Sequence, residues 1–133
     1  MSEFTTQLYT RVLPREELVG TTRQLYQLTA PLVYESDLLG IITAPQGLLT
    51  DFASIPRLAW RYLDPEDPAI LYPSVIHDAL YSYSGRLPGS RPCTRALADA
   101  VLREAMVACG ARADQRAVVY RLVRLCGGSR WQE

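Results

Sequence analysis

The sequence predicts an α+β fold: a small antiparallel β-sheet in the N-terminal half, packed with a three-helix C-terminal part. Three observations carry this. Apolar and polar residues roughly alternate through much of the first fifty positions, the period of half-buried strands. From Pro73 onward apolar residues recur every three or four positions, the period of helices facing a core. Between the two lies Asp64-Pro65-Glu66-Asp67-Pro68, which breaks either pattern. Strands followed by helices give a segregated arrangement of layers. The chain has 133 residues, one domain over 1–133 by size. A chain of this length buries about two thirds of the surface its unfolded form exposes, enough for a real core.

The strands fall at about 7–50. Gln7–Val12 and Arg23–Thr29 show the alternation, and Pro31 starts a third stretch, Leu32–Glu35. Ser36-Asp37 reads as a turn before Leu38–Thr43, whose dense apolar run suits a strand covered on both faces. Ala44-Pro45-Gln46-Gly47 is a turn signal, and Leu48–Thr50 resumes the sheet.

The helices fall at about 57–127. Arg57–Leu63 is a short candidate, with Leu58, Trp60 and Leu63 available to pack inward. Pro73–Tyr83 follows, with Pro73 at the favoured first position. Thr94–Cys109 has Thr94 as N-cap and Gly110 as C-cap, with a stripe of Leu97, Val101, Ala105 and Ala108. Arg112–Cys126 is closed by Gly127-Gly128, with a stripe of Val118, Val119, Leu122, Val123 and Cys126. Arg116, Arg121 and Arg124 lie off that stripe.

Composition excludes several functions. Fourteen basic residues balance fourteen acidic ones, so the net charge is zero. A nucleic-acid binder normally carries a basic excess that displaces counterions from phosphates, and a polybasic membrane anchor needs one too. Nucleic acid is therefore not the expected partner. Every basic residue is arginine, which excludes a Schiff-base lysine and a P-loop lysine. Cys93, Cys109 and Cys126 make neither a disulfide framework nor a CxxC zinc motif. Cys109 and Cys126 fall late in helical apolar patterns and are expected to be buried thiols in a reducing compartment. There is no 18-residue apolar window and no charged-then-apolar signal pattern at the N-terminus, so a cytoplasmic location without signal peptide or transmembrane segment is expected.

The one histidine sits in Ser74-Val75-Ile76-His77-Asp78-Ala79-Leu80-Tyr81. His77 and Tyr81 are four apart and share a helix face, while Asp78 is rotated by about 100°. Imidazole can take a proton near neutral pH, and a carboxylate can hold a hard cation such as calcium or magnesium. The bland alternative is a helical histidine satisfied by a carbonyl, with Asp78 exposed. Thr50, Asp51 and Ser54 stand in an otherwise apolar stretch that ends at Pro56-Arg57. They can serve a cation or a substrate, or simply cap the following helix. Asp99, between alanines beside an apolar stripe, needs a partner. Arg95 or Arg103, one turn away, would be a local solution. His77 across the helix interface would be a functional one, fixing the imidazole tautomer as the acid of a Ser-His-Asp triad does. No GxSxG elbow is present, and one histidine cannot make a two-histidine zinc motif.

Thr50-Asp51-Phe52-Ala53-Ser54-Ile55-Pro56-Arg57, His77-Asp78-Ala79-Leu80-Tyr81 and Ala98-Asp99 together resemble an uncharacterised phage and prophage family, domain of unknown function 1353. The resemblance runs from about residue 25 to residue 127 and implies a phage or prophage origin more than a reaction. More loosely, the His-Asp helix is similar to that of secreted phospholipase A2, whose disulfides and Gly-rich calcium loop this chain lacks. That similarity implies His77 as general base, Asp99 orienting it, Tyr81 supporting Asp99 and Asp78 as a calcium ligand. The Thr50–Ser54 loop, with Asp51, would lie near the metal, and Arg57 closes the same motif.

Two functions are therefore expected. One is a small hydrolase acting on an envelope component, metal-dependent where Asp78 and Asp51 hold a calcium or magnesium ion. The other is a non-enzymatic virion, tail-assembly or host-interaction protein whose His-Asp cluster is structural, with phage structural or host envelope components as partners. The second would travel in a phage particle; its eight tyrosines and exposed arginines suit an interface. The sequence sets no oligomeric state.

Overall fold

The N-terminal segments fold into two three-stranded antiparallel sheets where the sequence suggests one. The computed structural model describes residues 2–18, 25–50, 64 and 67–131. Strands β1 (Glu3–Phe4), β2 (Thr10–Val12), β3 (Tyr26–Leu28), β4 (Leu32–Ser36), β5 (Gly40–Ala44) and β6 (Leu49–Thr50) divide between them. One sheet has the order β1-β4-β5, the other β2-β3-β6. β3 and β4 are neighbours in sequence yet pair in different sheets. Pro31 lies between them and has no N–H with which to continue a ladder.

The β4–β5 hairpin departs from the expected turn. Ser36 Oγ accepts from the Leu38 and Leu39 N–H groups, both at 3.1 Å, so the turn extends to Leu39 and β5 starts at Gly40. The register pairs Tyr34 with Ile42 and Ser36 with Gly40. Only one face is covered: Ile42 and Ala44 are buried, while Ile41 is exposed. The dense apolar run therefore belongs to a one-sided strand preceded by a turn, because the turn takes up Leu38 and Leu39.

Helix α1 (Pro68–Ser82) begins five residues before its expected start. Asp67 Oδ1 accepts from the Ala69 N–H at 3.0 Å and caps it, and Pro68 takes the first position. Pro73 is therefore inside the helix, where it lacks the N–H that would reach the Ala69 carbonyl. Ile70 and every residue from Pro73 to Tyr81 are buried, so tertiary packing outweighs the local penalty.

Helix α2 (Arg95–Ala108) starts at the expected cap, with Thr94 Oγ1 accepting from the Leu97 N–H at 3.1 Å. It ends at Gly110, whose φ of +82° lets the Ala111 N–H return to the Met106 carbonyl. Its buried face is wider than the predicted stripe. Ala98, Leu102 and Met106 join Val101 and Ala105, whereas Ala108 is exposed. The cause is that α2 lies between two helices: it packs on α1 and on α3 (Ala113–Cys126). Helix α3 has the narrower face. Val119 and Val123 are buried, but Cys126 is exposed, and Cys93 and Cys109 are only half-buried. The expectation of a buried Cys126 fails because α3 leans on α2 with one stripe that ends at Val123.

Two apolar clusters result. The larger joins both sheets to α1 and α2 through Leu28, Leu32, Tyr34, Ile42, Ile76, Leu80 and Val101. The smaller joins the three helices through Ile70, Leu102, Met106, Val119 and Val123. Among the described residues no helix is long and apolar enough to cross a membrane. The Arg57–Leu63 helix lies outside the described residues.

Candidate functional site

The polar side chains that matter most sit where α1, α2 and α3 meet. His77 and Tyr81, one turn apart on α1, lie face to tilted face with ring centroids 4.2 Å apart. Across the α1–α2 interface Asp99 receives both: His77 Nε2 is 2.7 Å from Oδ1, and the Tyr81 hydroxyl donates to the same oxygen at 2.7 Å. Arg124 Nη1, from α3, donates to Oδ2 at 2.7 Å. Neither His77 nor Asp99 has any solvent-exposed surface.

Burial alone would raise the pKa of Asp99. The hydrogen bonds from His77, Arg124 and Tyr81 outweigh it and hold the carboxyl below its ordinary value. Tyr81 moves the other way: burial, and then its bond to Asp99, push the phenol well above its ordinary value. An ionised carboxylate offers only acceptors, so the shared proton belongs to His77 Nε2. In the neutral ring that leaves a lone pair on Nδ1, and the buried Nδ1 has no hydrogen-bond partner among the described residues.

A second layer fixes this cluster. Arg95 Nε donates to the Tyr81 hydroxyl at 3.1 Å, and Arg95 Nη2 donates to the carbonyls of Val123 and Arg124 at 3.0 and 2.7 Å. These are last-turn carbonyls of α3, where a cation also complements the helix dipole. Trp131 packs edge-on against Tyr81 at 5.1 Å. Gly127 closes α3 as the sequence suggests, its N–H returning to the Val123 carbonyl, and it does so with an ordinary φ of −80°. It also provides space: a Cβ there would lie 2.9 Å from the Tyr81 hydroxyl.

Of the residues singled out in the sequence, the structure brings His77, Tyr81 and Asp99 into one hydrogen-bonded group. Asp99 takes its bonds from His77, Tyr81 and Arg124, and Arg95 goes to Tyr81 instead. Asp78 and Thr50 are buried, on α1 and on β6, and each has an interaction partner. Asp51, Ser54 and Arg57 lie outside the described residues. Among the described residues no three His, Cys, Asp or Glu side chains converge into a group that could hold a metal ion. Arg124 escaped the sequence reading: it is one position past a buried valine, and nothing local ties it to a carboxylate 25 residues earlier.

Fold and site define a small α+β protein whose only histidine is held by an aspartate between two helices. The chain belongs to the family described as "Protein of unknown function (DUF1353)", which it matches over residues 26–123. No curated protein and no solved structure matches it.

Proposed function

We propose that the protein is a phage- or prophage-encoded hydrolase that cleaves an ester or amide of an envelope component, lipid or peptidoglycan, with His77 as general base. The observation that carries this reading is the buried Nδ1, without a partner among the described residues, on a ring whose other nitrogen is held by Asp99. A buried polar atom left unpaired costs about 1–3 kcal/mol, so it calls for an explanation. In the proposed reaction Nδ1 takes a proton from water as the water oxygen bonds to the carbonyl carbon. Asp99 stabilises the imidazolium. The same proton passes to the leaving oxygen or nitrogen as its bond to carbon breaks. Tyr81 positions Asp99. Because His77 is fully buried, the reaction requires a movement that brings water to Nδ1.

No step above runs through a cation. Calcium or magnesium held by Asp78 and Asp51 is a separable addition that would polarise the carbonyl.

The complete burial of His77 favours a second reading, in which the cluster joins three helices of a non-enzymatic virion, tail-assembly or host-interaction protein. One experiment separates the two. Wild type and His77→Gln, both checked for native circular dichroism, are assayed on phospholipids, peptidoglycan and simple aryl esters. Wild-type hydrolysis that falls at least about a hundredfold in His77→Gln supports the enzyme. Equal rates, or no hydrolysis of any of them, favour the structural reading, and capture of phage or host envelope proteins then becomes the assay.

A further inference from the structure

Three stacked rings lead outward from the site. His77 has no exposed surface, Tyr81 lies on it at 4.2 Å and is 4% exposed, and Trp131, edge-on to Tyr81 at 5.1 Å, is only partly buried. Trp131 follows a short 3-10 turn, Gly127–Arg130, that continues from α3. The turn begins beside the Tyr81 hydroxyl, where Gly127 leaves room for it, and the indole after it rests on the Tyr81 ring. The indole has a second seat just past α1: a Cβ on Gly85 would lie 2.8 and 2.9 Å from two of its carbons. Residues 127–131 therefore run across Tyr81 as a strap. The site beneath is tied by bonds of 2.7 Å from His77, Tyr81 and Arg124 to Asp99. The strap is tied less firmly. Gly127 N–H returns to the Val123 carbonyl, but Trp131 N–H reaches the Gly128 carbonyl at 3.4 Å, beyond the usual range of about 2.7–3.2 Å. A 3-10 turn has poorer hydrogen-bond geometry than an α-helix, and the two glycines that lead into this one rotate with the least hindrance.

We propose that residues 127–131 are a lid over the His77 site, latched by the Trp131 indole on Tyr81 and Gly85, and that release of this latch is the movement that admits water and substrate. The inference deepens the hydrolase reading and rests on it for its functional meaning. It gives that reading the opening which a fully buried His77 requires. The division of labour follows from the anchors. Arg95 Nη2 holds the Val123 and Arg124 carbonyls, so α3 stays in place up to the start of the strap. Rotation at Gly127 and Gly128 then lifts the indole without breaking a bond to Asp99. The lid carries no group that takes part in the reaction. Trp131 acts on access alone, and the two seats it fills explain why Gly85 and Gly127 both lack a Cβ beneath the same strap.

The single histidine makes the test direct, since every imidazole modified is His77. Diethyl pyrocarbonate, which acylates an accessible imidazole nitrogen, is applied near neutral pH, and the rate is followed by the absorbance of the ethoxyformyl-imidazole. Wild type is expected to react slowly and Trp131→Ala about tenfold faster, the change that loss of one aromatic edge contact and its buried area makes to a local opening. Equal rates in wild type and folded Trp131→Ala overturn the proposal. A second measurement needs no variant. The wild-type rate is repeated in low, non-denaturing urea. Opening of the strap exposes little surface, so a rate nearly independent of urea supports it. A rate that climbs with the full slope of global unfolding shows that His77 is reached only when the whole fold opens, and overturns the lid. No substrate enters either measurement. Equal hydrolysis by wild type and His77→Gln would end the hydrolase reading and leave the lid standing. A failed lid would leave that reading standing, with its opening elsewhere.

Discussion

His77 on α1 and Asp99 on α2 meet at 2.7 Å with neither side chain exposed, and one imidazole nitrogen is left over. The contact ties the two helices together and sets the direction of the ring. Asp99→Ala removes the acceptor of two buried donors, His77 Nε2 and the Tyr81 hydroxyl. Each unsatisfied buried donor costs about 1–3 kcal/mol, so a loss of about 2–6 kcal/mol is expected from urea unfolding midpoints. A loss below about 1 kcal/mol would mean that water replaces the carboxylate and that the site is open to solvent.

The same contacts set a pH profile. The folded-state pKa of Asp99 lies below its ordinary 3.8, because the bonds from His77, Arg124 and Tyr81 outweigh the upward push of burial. A depressed carboxyl contributes stability that is fully present above the ordinary value and is lost as pH falls through the folded one. Tyr81 has a raised pKa, chiefly from burial. Its contribution is full below the ordinary 10.0 and is lost as pH rises above that value. Stability should therefore fall below about pH 4 and above about pH 10. Asp99→Asn should flatten the acid limb and Tyr81→Phe the alkaline one, measured by urea unfolding across pH. Unchanged limbs in both variants would remove the cluster from the stability profile.

Most of the element order was legible because it rests on period and caps. Thr94 and Gly110 bound α2 as their chemistry dictates, and the stretch that Pro31 starts, Leu32 to Glu35, is β4. What escaped was set by tertiary packing. Pro73 reads locally as a helix start, yet burial of α1 on all sides carries the helix through it. A two-residue strand such as β1 carries no period at all. At the site, His77, Tyr81 and Asp99 could be named because spacing places the first two on one face and a lone acid beside an apolar stripe needs a partner. Arg95 and Arg124 could not be assigned, since their partners lie across helix interfaces that no local spacing encodes. Gly127 closes α3 as its position in the sequence suggests, but its second role, leaving space under the Tyr81 hydroxyl, is not legible there.

That reading of the glycines has consequences of different size. A Cβ at Gly127 meets the Tyr81 hydroxyl at 2.9 Å, and the hydroxyl is held by Asp99 and Arg95 and cannot swing aside freely. Gly127→Ala should cost about 1–3 kcal/mol through overpacking and displace the Tyr81–Asp99 bond. Gly85→Ala should cost more. Its φ is +79°, and a Cβ would come within 2.1 Å of the Cys93 carbonyl oxygen and 2.8 Å of the Trp131 ring. Gly47→Ala, at a φ of +91° with open space around it, is the control for backbone strain alone, about 1–2 kcal/mol. Thermal unfolding that ranks Gly47→Ala as the most damaging of the three would contradict this packing.

Glu104 does at the sheet what Asp99 does between the helices. Its Oε1 accepts from the Tyr34 and Ser36 hydroxyls, both at 2.7 Å, and Oε2 accepts from the Leu38 N–H at 3.2 Å. It thus pins α2 to the β4–β5 hairpin. Burial, and then this carboxylate, raise the Tyr34 phenol above its ordinary pKa. Glu104→Ala leaves the buried Tyr34 hydroxyl without its acceptor, and a loss of about 1–3 kcal/mol is expected. Amide exchange should rise at Leu38 and Leu39 before the rest of β5. Uniform exchange across the hairpin would show that the turn is held by Ser36 alone.

The cation is tested apart from the imidazole. A ligand that binds only the native state stabilises it by RT ln(1 + [L]/Kd), about 2.7 kcal/mol at a hundred times Kd. If Asp78 holds calcium or magnesium as the hydrolase reading allows, that cation should raise the melting temperature of wild type. Manganese should partly substitute and zinc should not, because the proposed ligands are carboxylate oxygens. Asp78→Asn weakens the site by removing the charge while nearly keeping the shape, so the rise should vanish. Asp78 is buried and already has a partner, so Asp78→Asn can also lower stability without metal. The quantity to compare is therefore the metal-induced shift in each protein, not the melting temperature itself. A shift of equal size in both would place the cation elsewhere. No shift with any of the four metals would leave the proposed hydrolysis to His77, Asp99 and water.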